Sequence, residues 1–497
     1  MVLKSKKGMP NIIFILTDDQ GAWAMHCAGN EEIQTPNLDY LAEHGTRFTD
    51  FFCTSPVCSP ARASILTGRI PSQHGVHDWI ASGNVDQGKL SEELKKSGEF
   101  RLEDRPIGYL DGMPAYTDVL ERHGYTCALS GKWHLGDSLR PQHGFSKWYT
   151  IGRGGCHYMR PDMVEDGVLH QEKRYVTDLI TDHALTFLEE LSAQAAPYYL
   201  GVHYTAPHSP WEEEEHPAEY IERYRSCPFD SVPEKEPHPR QIPTAPMGTG
   251  EHRKELLRGY YAAITAMDHG VGRILDFLRE KGELENTLIF FMADNGMNMG
   301  HHGIWGKGNG TFPFNMYDTS VKVPFLVSWP TALPQGQVVT SMHSQYDFFP
   351  TLMDLLGMKE EFPSGLPGRS FRRALEGENL EGEAVVVLDE YGPNRMIRTR
   401  EWKLVHRYPY GPDELYHLTE DAGEEHNLIH KEEYEGIRRL LLAELEEWFA
   451  KYVNPAMDGS REGVYGMGQT ERAGVYAKGR KNYIPCKEAC PPDWPDN

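Results

Sequence analysis

Ile12-Ile13-Phe14-Ile15-Leu16, followed at once by Thr17-Asp18-Asp19-Gln20, is the stretch from which the fold of this chain is read. An unbroken apolar, β-branched run with no polar alternation reads as a strand buried on both faces, the type found in parallel sheets covered by helices. Four further runs have the same texture: Thr126-Cys127-Ala128-Leu129, Tyr198-Tyr199-Leu200-Gly201-Val202, Leu288-Ile289-Phe290-Phe291 and Val323-Pro324-Phe325-Leu326-Val327. Amphipathic helical patterns lie at 35–44, 116–123, 176–191 and 256–281. This alternation predicts an α/β fold with a large, mostly parallel sheet sandwiched by helices. A polar motif follows each of the first four runs: the Asp18-Asp19 pair, then Gly131-Lys132-Trp133-His134-Leu135-Gly136, Ala206-Pro207-His208 and Ala293-Asp294-Asn295-Gly296. Ligand sites in open α/β sheets lie beyond the carboxyl ends of the strands, so the four motifs are expected to converge on one edge.

From about residue 380 the texture changes. Short strand patterns at 384–388, 395–399, 402–406 and 414–418 precede a strong helix pattern at 432–452. The expected organisation is a main domain over 1–379, a smaller C-terminal α+β subdomain with a small antiparallel sheet over 380–455, and an extended tail rich in Gly, Pro and Tyr over 456–497. The tail has no amphipathic pattern of its own, and its aromatics favour docking. It is expected to lie on a partner subunit, making a homo-oligomer, or on the rim of its own pocket.

The 497 residues carry a formal net charge of −23, which argues against nucleic acid or an anionic membrane as partner. An anionic substrate must therefore be drawn in by a local cationic pocket. No apolar run approaches the length of a membrane span, and residues 1–7 lead directly into the first strand pattern, so a cytoplasmic location is expected. The eight cysteines show no zinc-ligand spacing; Cys486 and Cys490 alone look like a local pair, and reduced thiols are the expectation.

Asp18, Asp19, Asp294 and Asn295 offer hard oxygen ligands from two strand ends, a donor set suited to Ca²⁺ or Mg²⁺. In Cys58-Ser59-Pro60-Ala61-Arg62 the proline marks the first turn of a helix. Cys58 thus stands at a helix start, where free N–H groups and the positive end of the dipole favour reaction with an anion.

The C-x-P-x-R pentapeptide at 58–62, the Thr67-Gly68-Arg69 that follows it, the G-K-W-H-x-G motif at 131–136 and the paired D-D and D-N-G motifs together resemble the cysteine-type sulfatases of the alkaline phosphatase-like superfamily. The resemblance runs in order from about residue 10 to 330 and makes 1–379 the catalytic domain. It implies that Cys58 is oxidised to Cα-formylglycine by a formylglycine-generating or radical maturase. It also implies one divalent cation, Ca²⁺ or alternatively Mg²⁺, among Asp18, Asp19, Asp294, Asn295 and residue 58. In the implied mechanism one hydroxyl of the hydrated aldehyde attacks sulfur, and loss of a proton from the other expels sulfate. Arg62 and Lys132 would stabilise the diol, His134 would be the base for the collapse, and His208 with Lys307 would serve as acid and clamp at the leaving oxygen. The expected substrate is a sulfate monoester, of a mono- or oligosaccharide, with loops 82–112, 153–167 and 212–250 around the pocket mouth. His77, Trp79, Trp211 and His302 are the candidate sugar-binding residues. A phosphate or phosphonate monoester hydrolase of the same superfamily is the alternative, as is a non-catalytic sulfated-glycan-binding protein if Cys58 stays a thiol.

Overall fold

The structure, a computed structural model, describes residues 9–97, 100–380, 384–389, 394–408 and 411–485. The Cys486/Cys490 pair and the end of the tail lie outside them. The main sheet begins with β1 (Asn11–Thr17), β2 (Thr46–Phe48), β3 (Thr126–Gly131), β4 (Phe145–Ile151) and β5 (Asp162–Glu165). It is completed by β6 (Val168–Gln171), β7 (Tyr198–His203), β8 (Thr287–Ala293), β9 (Phe325–Ser328) and β10 (Gln337–Val339), in the order β10-β2-β9-β8-β1-β7-β3-β4-β5-β6. The middle five, β8 to β4, are mutually parallel. β9, the run at 323–327 read with the parallel set, instead lies antiparallel to both β8 and β2. A strand buried on both faces has the same composition in either direction, so the sequence carried no sign of this reversal.

Two cores sandwich the sheet, and alternate residues of each central strand feed them. Ile12, Phe14 and Leu16 enter one core and Ile13 and Ile15 the other; Leu288, Phe290 and Met292 likewise part from Ile289 and Phe291. The helices that cover the sheet are α1 (Pro36–Glu43), α2 (Cys58–Thr67), α3 (Tyr116–Arg122), α4 (Val176–Ser192), α5 (Gly250–Lys281) and α6 (Phe348–Leu355). On the first face lie α2, α3 and α6, and on the second α1, α4 and α5. Each fully buried Ile, Leu or Phe contributes about 1.5–3 kcal/mol, so both helical layers are needed to keep this sheet out of water.

The second sheet, β11 (Val385–Asp389), β12 (Asn394–Arg398), β13 (Trp402–Arg407) and β14 (Glu414–His417), is antiparallel in chain order. Ile397, Leu404 and Leu415 pack against Leu441, Leu445 and Phe449 of α7 (Glu435–Tyr452), whereas Val387, Met396 and Val405 join the main core. The tail lies against its own chain: Asn454 N–H bonds the Ser72 carbonyl at 3.0 Å, and Val464 and Tyr483 cluster with Val57 and Phe314. Among the described residues no helix is long and apolar enough to cross a membrane.

Register places the site. Thr17 of β1 sits beside Ala293 of β8, Leu16 beside His203 of β7, and His203 beside Gly131 of β3. Four strands therefore stop within one residue of a common row, and the motif after each begins on the same edge.

Candidate active site

Asp18 and Asp294 are the first residues beyond that row. Their backbone N–H groups are tied to the Ala206 and Thr17 carbonyls at 3.1 and 3.0 Å. Asp19 follows in a left-handed turn, with φ of 62°, and its N–H donates to Asp294 Oδ1 at 3.2 Å. Asp18, Asp19 and Asp294 each present a carboxylate oxygen within 4.8 Å of the other two, all three buried. Asn295 Nδ2 donates to Asp19 Oδ1 at 2.8 Å. This leaves Asn295 Oδ1, and with it Asp18 Oδ1, buried without a hydrogen-bond partner among the described residues. Three carboxylates and an amide oxygen, two of the oxygens orphaned, suit a hard divalent cation. Burial, followed by the charge of Asp18, pushes the Asp294 carboxyl up. Burial acts in the same sense on Asp18, but Lys132, His208 and Arg62 outweigh it and hold that carboxyl well below the usual range.

The cations come from three other elements. Arg62, one turn into α2, donates from Nε to Asp294 Oδ2 at 2.8 Å and from a terminal nitrogen to the Lys132 carbonyl at 3.1 Å. Lys132 Nζ lies 2.5 Å from Asp18 Oδ2, and Lys307 Nζ lies 2.6 Å from Asp19 Oδ1. At Gly131, with φ of 115°, a Cβ would fall 1.9 Å from the His203 carbonyl oxygen, so only glycine lets β3 deliver Lys132 here. His208 faces Asp19 Oδ2 with Nε2 at 3.7 Å and donates from Nδ1 to the Ser209 carbonyl at 2.7 Å.

Cys58 is the first residue of α2, a helix in which every residue is buried. Burial raises its thiol pKa, against the opposing pull of Lys132 and Lys307. The thiol opens onto a cavity of about 340 Å³ that is also lined by Trp79, His134, Arg153, His208, Lys307 and Asn309. His134 has φ of 57°, and its Nε2–H donates to the Ile80 carbonyl at 2.8 Å, because a carbonyl can only accept. Nδ1 is then the unprotonated nitrogen, buried and without a partner among the described residues. Burial first and Lys132 second push the His134 pKa well below its ordinary value, so the ring is neutral. The Cys58 thiol, His134, His208 and Lys307 thus line one small cavity, and Lys307 and His208 connect it to the buried acid cluster through Asp19.

The family described as Sulfatase matches residues 10–358, well over half of the sequence. The chain belongs to the sulfatase family. It is a hydrolase of sulfuric esters. A second family description, N-sulphoglucosamine sulphohydrolase, C-terminal, matches residues 300–451. The N-acetylglucosamine-6-O-sulfatase of Bacteroides thetaiotaomicron is 28% identical over 530 aligned residues, covering 90% of this chain and 88% of its own. A structure solved with its substrate D-glucosamine-2-N,6-O-disulfate superposes with a TM-score of 0.74 at 25% identity, over 91% of this chain and 100% of the other. The phosphonate monoester hydrolase of Agrobacterium radiobacter shares the fold, with a TM-score of 0.68 at 21% identity over 89% and 96% of the two chains.

In this sulfatase the residues expected to act at the reacting group are brought together, but the expected sugar-binding set is not. Only Trp79 lines the cavity. His77 is buried, its ring held between Tyr483 Oη and the Met457 carbonyl, both at 2.8 Å, so it anchors the tail. Trp211 is also buried; its Nε1–H donates to the Pro207 carbonyl at 2.7 Å and its ring meets Tyr260 edge-on. His302 stacks on Tyr317 at 3.8 Å and does not line the cavity. Of the three loops expected at the mouth, 153–167 supplies Arg153, Gly154 and Gly155 to the lining, whereas 82–112 and 212–250 supply none.

Three residues went unread in the sequence. Arg153, whose guanidinium lies over the Phe100 ring and bonds Asp162 Oδ2 at 2.9 Å, and Asn309 both reach the cavity. Gln345 is fully buried: Nε2 donates to the Ala293 and Asp294 carbonyls at 3.0 and 2.7 Å, and Oε1 accepts from Thr54 N–H at 3.0 Å. It ties the Asp294 turn to the segment leading to Cys58. Nothing in the spacing around Gln345 signalled this; Asn309 follows the Gly306-Lys307-Gly308 turn and was legible only as its neighbour.

Proposed function

We propose that this sulfatase hydrolyses the O-sulfate ester of a carbohydrate, with the 6-sulfate of an amino sugar as first candidate, through formylglycine formed from Cys58. Ca²⁺, or Mg²⁺ in its place, would be held by Asp18, Asp19, Asp294, Asn295 and residue 58. The observation that carries the reading is the position of Cys58, at the start of a buried helix where a cavity sized for a small ligand meets the acid cluster. The names of the relative and of the substrate in the superposed structure support the amino-sugar 6-sulfate.

Hydrated formylglycine would supply two hydroxyls on one carbon, one for attack on sulfur and one for the later expulsion of sulfate. A bound divalent cation would favour ionisation of a hydroxyl and draw charge from the sulfate oxygens. Arg62 and Lys132, fixed by Asp294 and Asp18, hold positive charge against the oxyanion without reorganising. Lys307 reaches the cavity from the Asp19 side and clamps the ester. His208, its Nδ1–H committed to Ser209, delivers a proton from Nε2 to the departing sugar oxygen when the ring is the doubly protonated imidazolium, and is left neutral with the proton on Nδ1. His134 takes the remaining hydroxyl proton on Nδ1. Arg153 and Trp79 form the wall against which the sugar rests.

The test pairs the mass of the tryptic peptide spanning 48–62 with rates on N-acetylglucosamine-6-sulfate and on matched phosphate and phosphonate esters. Conversion exchanges the sulfur of Cys58 for an aldehyde oxygen. A converted peptide with strong preference for the sulfate ester is expected. An unmodified thiol in fully active enzyme, or a preference for the phosphonate, overturns the reading.

A further inference from the structure

We infer that Gln469, far along the chain in the tail, is a positioning residue for His134: it fixes residues 75–81 so that the Ile80 carbonyl holds the His134 ring with the proton on Nε2. The inference rests on the proposed role of His134 as the base that expels sulfate.

Gln469 is wholly buried, and its carboxamide is saturated. Oε1 accepts from the N–H groups of His77 and Asp78 at 2.8 and 3.3 Å, and Nε2 donates to the Gly75 and Glu471 carbonyls, both at 2.9 Å. Its backbone pairs like a short strand with the same segment: Gln469 N–H to the Trp79 carbonyl at 2.8 Å and Ala81 N–H to the Gln469 carbonyl at 3.0 Å. One residue thus grips positions 75, 77, 78, 79 and 81. Ile80, the position between, turns its peptide groups to the site instead. Its N–H donates to Ser59 Oγ at 3.1 Å, beside Cys58, and its carbonyl accepts from His134 Nε2 at 2.8 Å.

The tautomer matters because of what His134 has to do. In the expulsion step the proton of the free hydroxyl passes to His134, the carbon–oxygen double bond re-forms, and the bond between that carbon and the sulfate oxygen breaks with its electron pair leaving on sulfate. A ring free to rotate, or carrying its proton on Nδ1, offers no lone pair there. A carboxylate or a backbone carbonyl ordinarily fixes which ring nitrogen of a histidine carries the proton; among the described residues the Ile80 carbonyl is the only hydrogen-bond partner of His134, so the rigidity of Ile80 carries the whole task.

The experiment is pre-steady-state hydrolysis of 4-nitrophenyl sulfate by fully converted, Ca²⁺-loaded enzyme. Release of 4-nitrophenol precedes the step that needs His134. Gln469→Ala is therefore expected to keep the fast first turnover, with a burst approaching one 4-nitrophenol per active site. Steady-state kcat should fall at least about tenfold and KM should fall with it, as the sulfated intermediate accumulates. Gln469→Glu keeps both accepting contacts and loses both donating ones; it should show the same pattern at smaller amplitude, and it carries the test if the alanine variant does not fold. His134→Asn is the reference, expected to give the full burst. A burst in His134→Asn with none in either Gln469 variant overturns this inference and leaves the reading of the site intact. Absence of a burst in His134→Asn itself overturns both the base assignment and the inference built on it. A Gln469 variant that loses the fast phase together with turnover also overturns it, since that is the mark of a merely structural role.

Discussion

Lys132 Nζ lies 2.5 Å from Asp18 Oδ2, and neither side chain touches water. The pair ties the third strand motif to the first, and it holds one carboxylate of the acid cluster ionised in the absence of any bound cation. Replacing Lys132 with methionine keeps the volume but leaves Asp18 with Arg62, at 3.9 Å, as its one ion-pair partner among the described residues, with His208 and Lys307 acting from farther off. In chelator the Lys132→Met variant is expected to be destabilised by about 3–5 kcal/mol. Ca²⁺ should restore more stability to the variant than to the parent, because it relieves an uncompensated charge. Thermal unfolding with and without chelator measures both effects; equal Ca²⁺ shifts in the two proteins would contradict this account of the cluster.

Cys58→Ser should abolish sulfate-ester hydrolysis, by about 10³-fold or more, with little change in melting temperature. A serine oxygen that attacked sulfur would be left as a stable alkyl sulfate, with no second hydroxyl on its carbon to expel the anion. Continued turnover by the serine variant would exclude the formylglycine route.

Acid should loosen the tail first. His77 is 1% exposed, and burial pushes its pKa down to about 4. In the unfolded chain a histidine titrates near 6.5. Between these values the unfolded chain binds a proton that the folded one refuses. The contribution to stability is therefore full above about pH 6.5 and is lost as pH falls toward 4, a loss of about 3 kcal/mol. Hydrogen exchange at pH 4.5, corrected for intrinsic rates, is expected to show raised exchange at 456–485 while β1 and β8 stay protected. Uniform protection across the two regions would refute this.

Gly154 lies against the His134 ring: a Cβ built there would lie 2.1 Å from Nε2. Gly154→Ala must push the ring off the Ile80 carbonyl, and kcat is expected to fall on the order of 10²-fold. Overpacking adds a stability cost of about 1–3 kcal/mol. An alanine variant with parental kcat would show that the ring tolerates displacement.

The convergence of the motifs expected at the reacting group was legible because each follows a strand whose apolar run is unmistakable, and parallel strands end together. That logic delivered Asp18, Asp19, Lys132, His208, Asp294 and Asn295 to one edge, and the proline in 58–62 placed Cys58 at a helix start. Three of the four residues expected to bind sugar, His77, Trp211 and His302, lie outside the cavity lining, the first two for a physical reason. Trp211 and His77 sit in polar, loop-like sequence, yet their rings turn inward and satisfy their N–H groups on the Pro207 and Met457 carbonyls. Composition near a site does not say which way a ring faces. Gln345 and Gln469 were invisible because all but one of their side-chain partners lie 51 to 394 positions away, and a glutamine leaves no periodic trace. The direction of β9 was hidden likewise, since burial on both faces has no polarity.

His77 N–H and Gln469 Oε1, bonded at 2.8 Å, are 392 positions apart. The wall beside Cys58 is thus closed by a stretch of chain made 392 residues later. At about 5–20 residues per second, the ribosome needs on the order of 20–80 s to travel from one to the other. Throughout that interval residue 58 has been made and the side chain that braces 75–81 has not. The order of synthesis alone leaves an interval in which residue 58 exists without that brace, and arrival of Gln469 ends it.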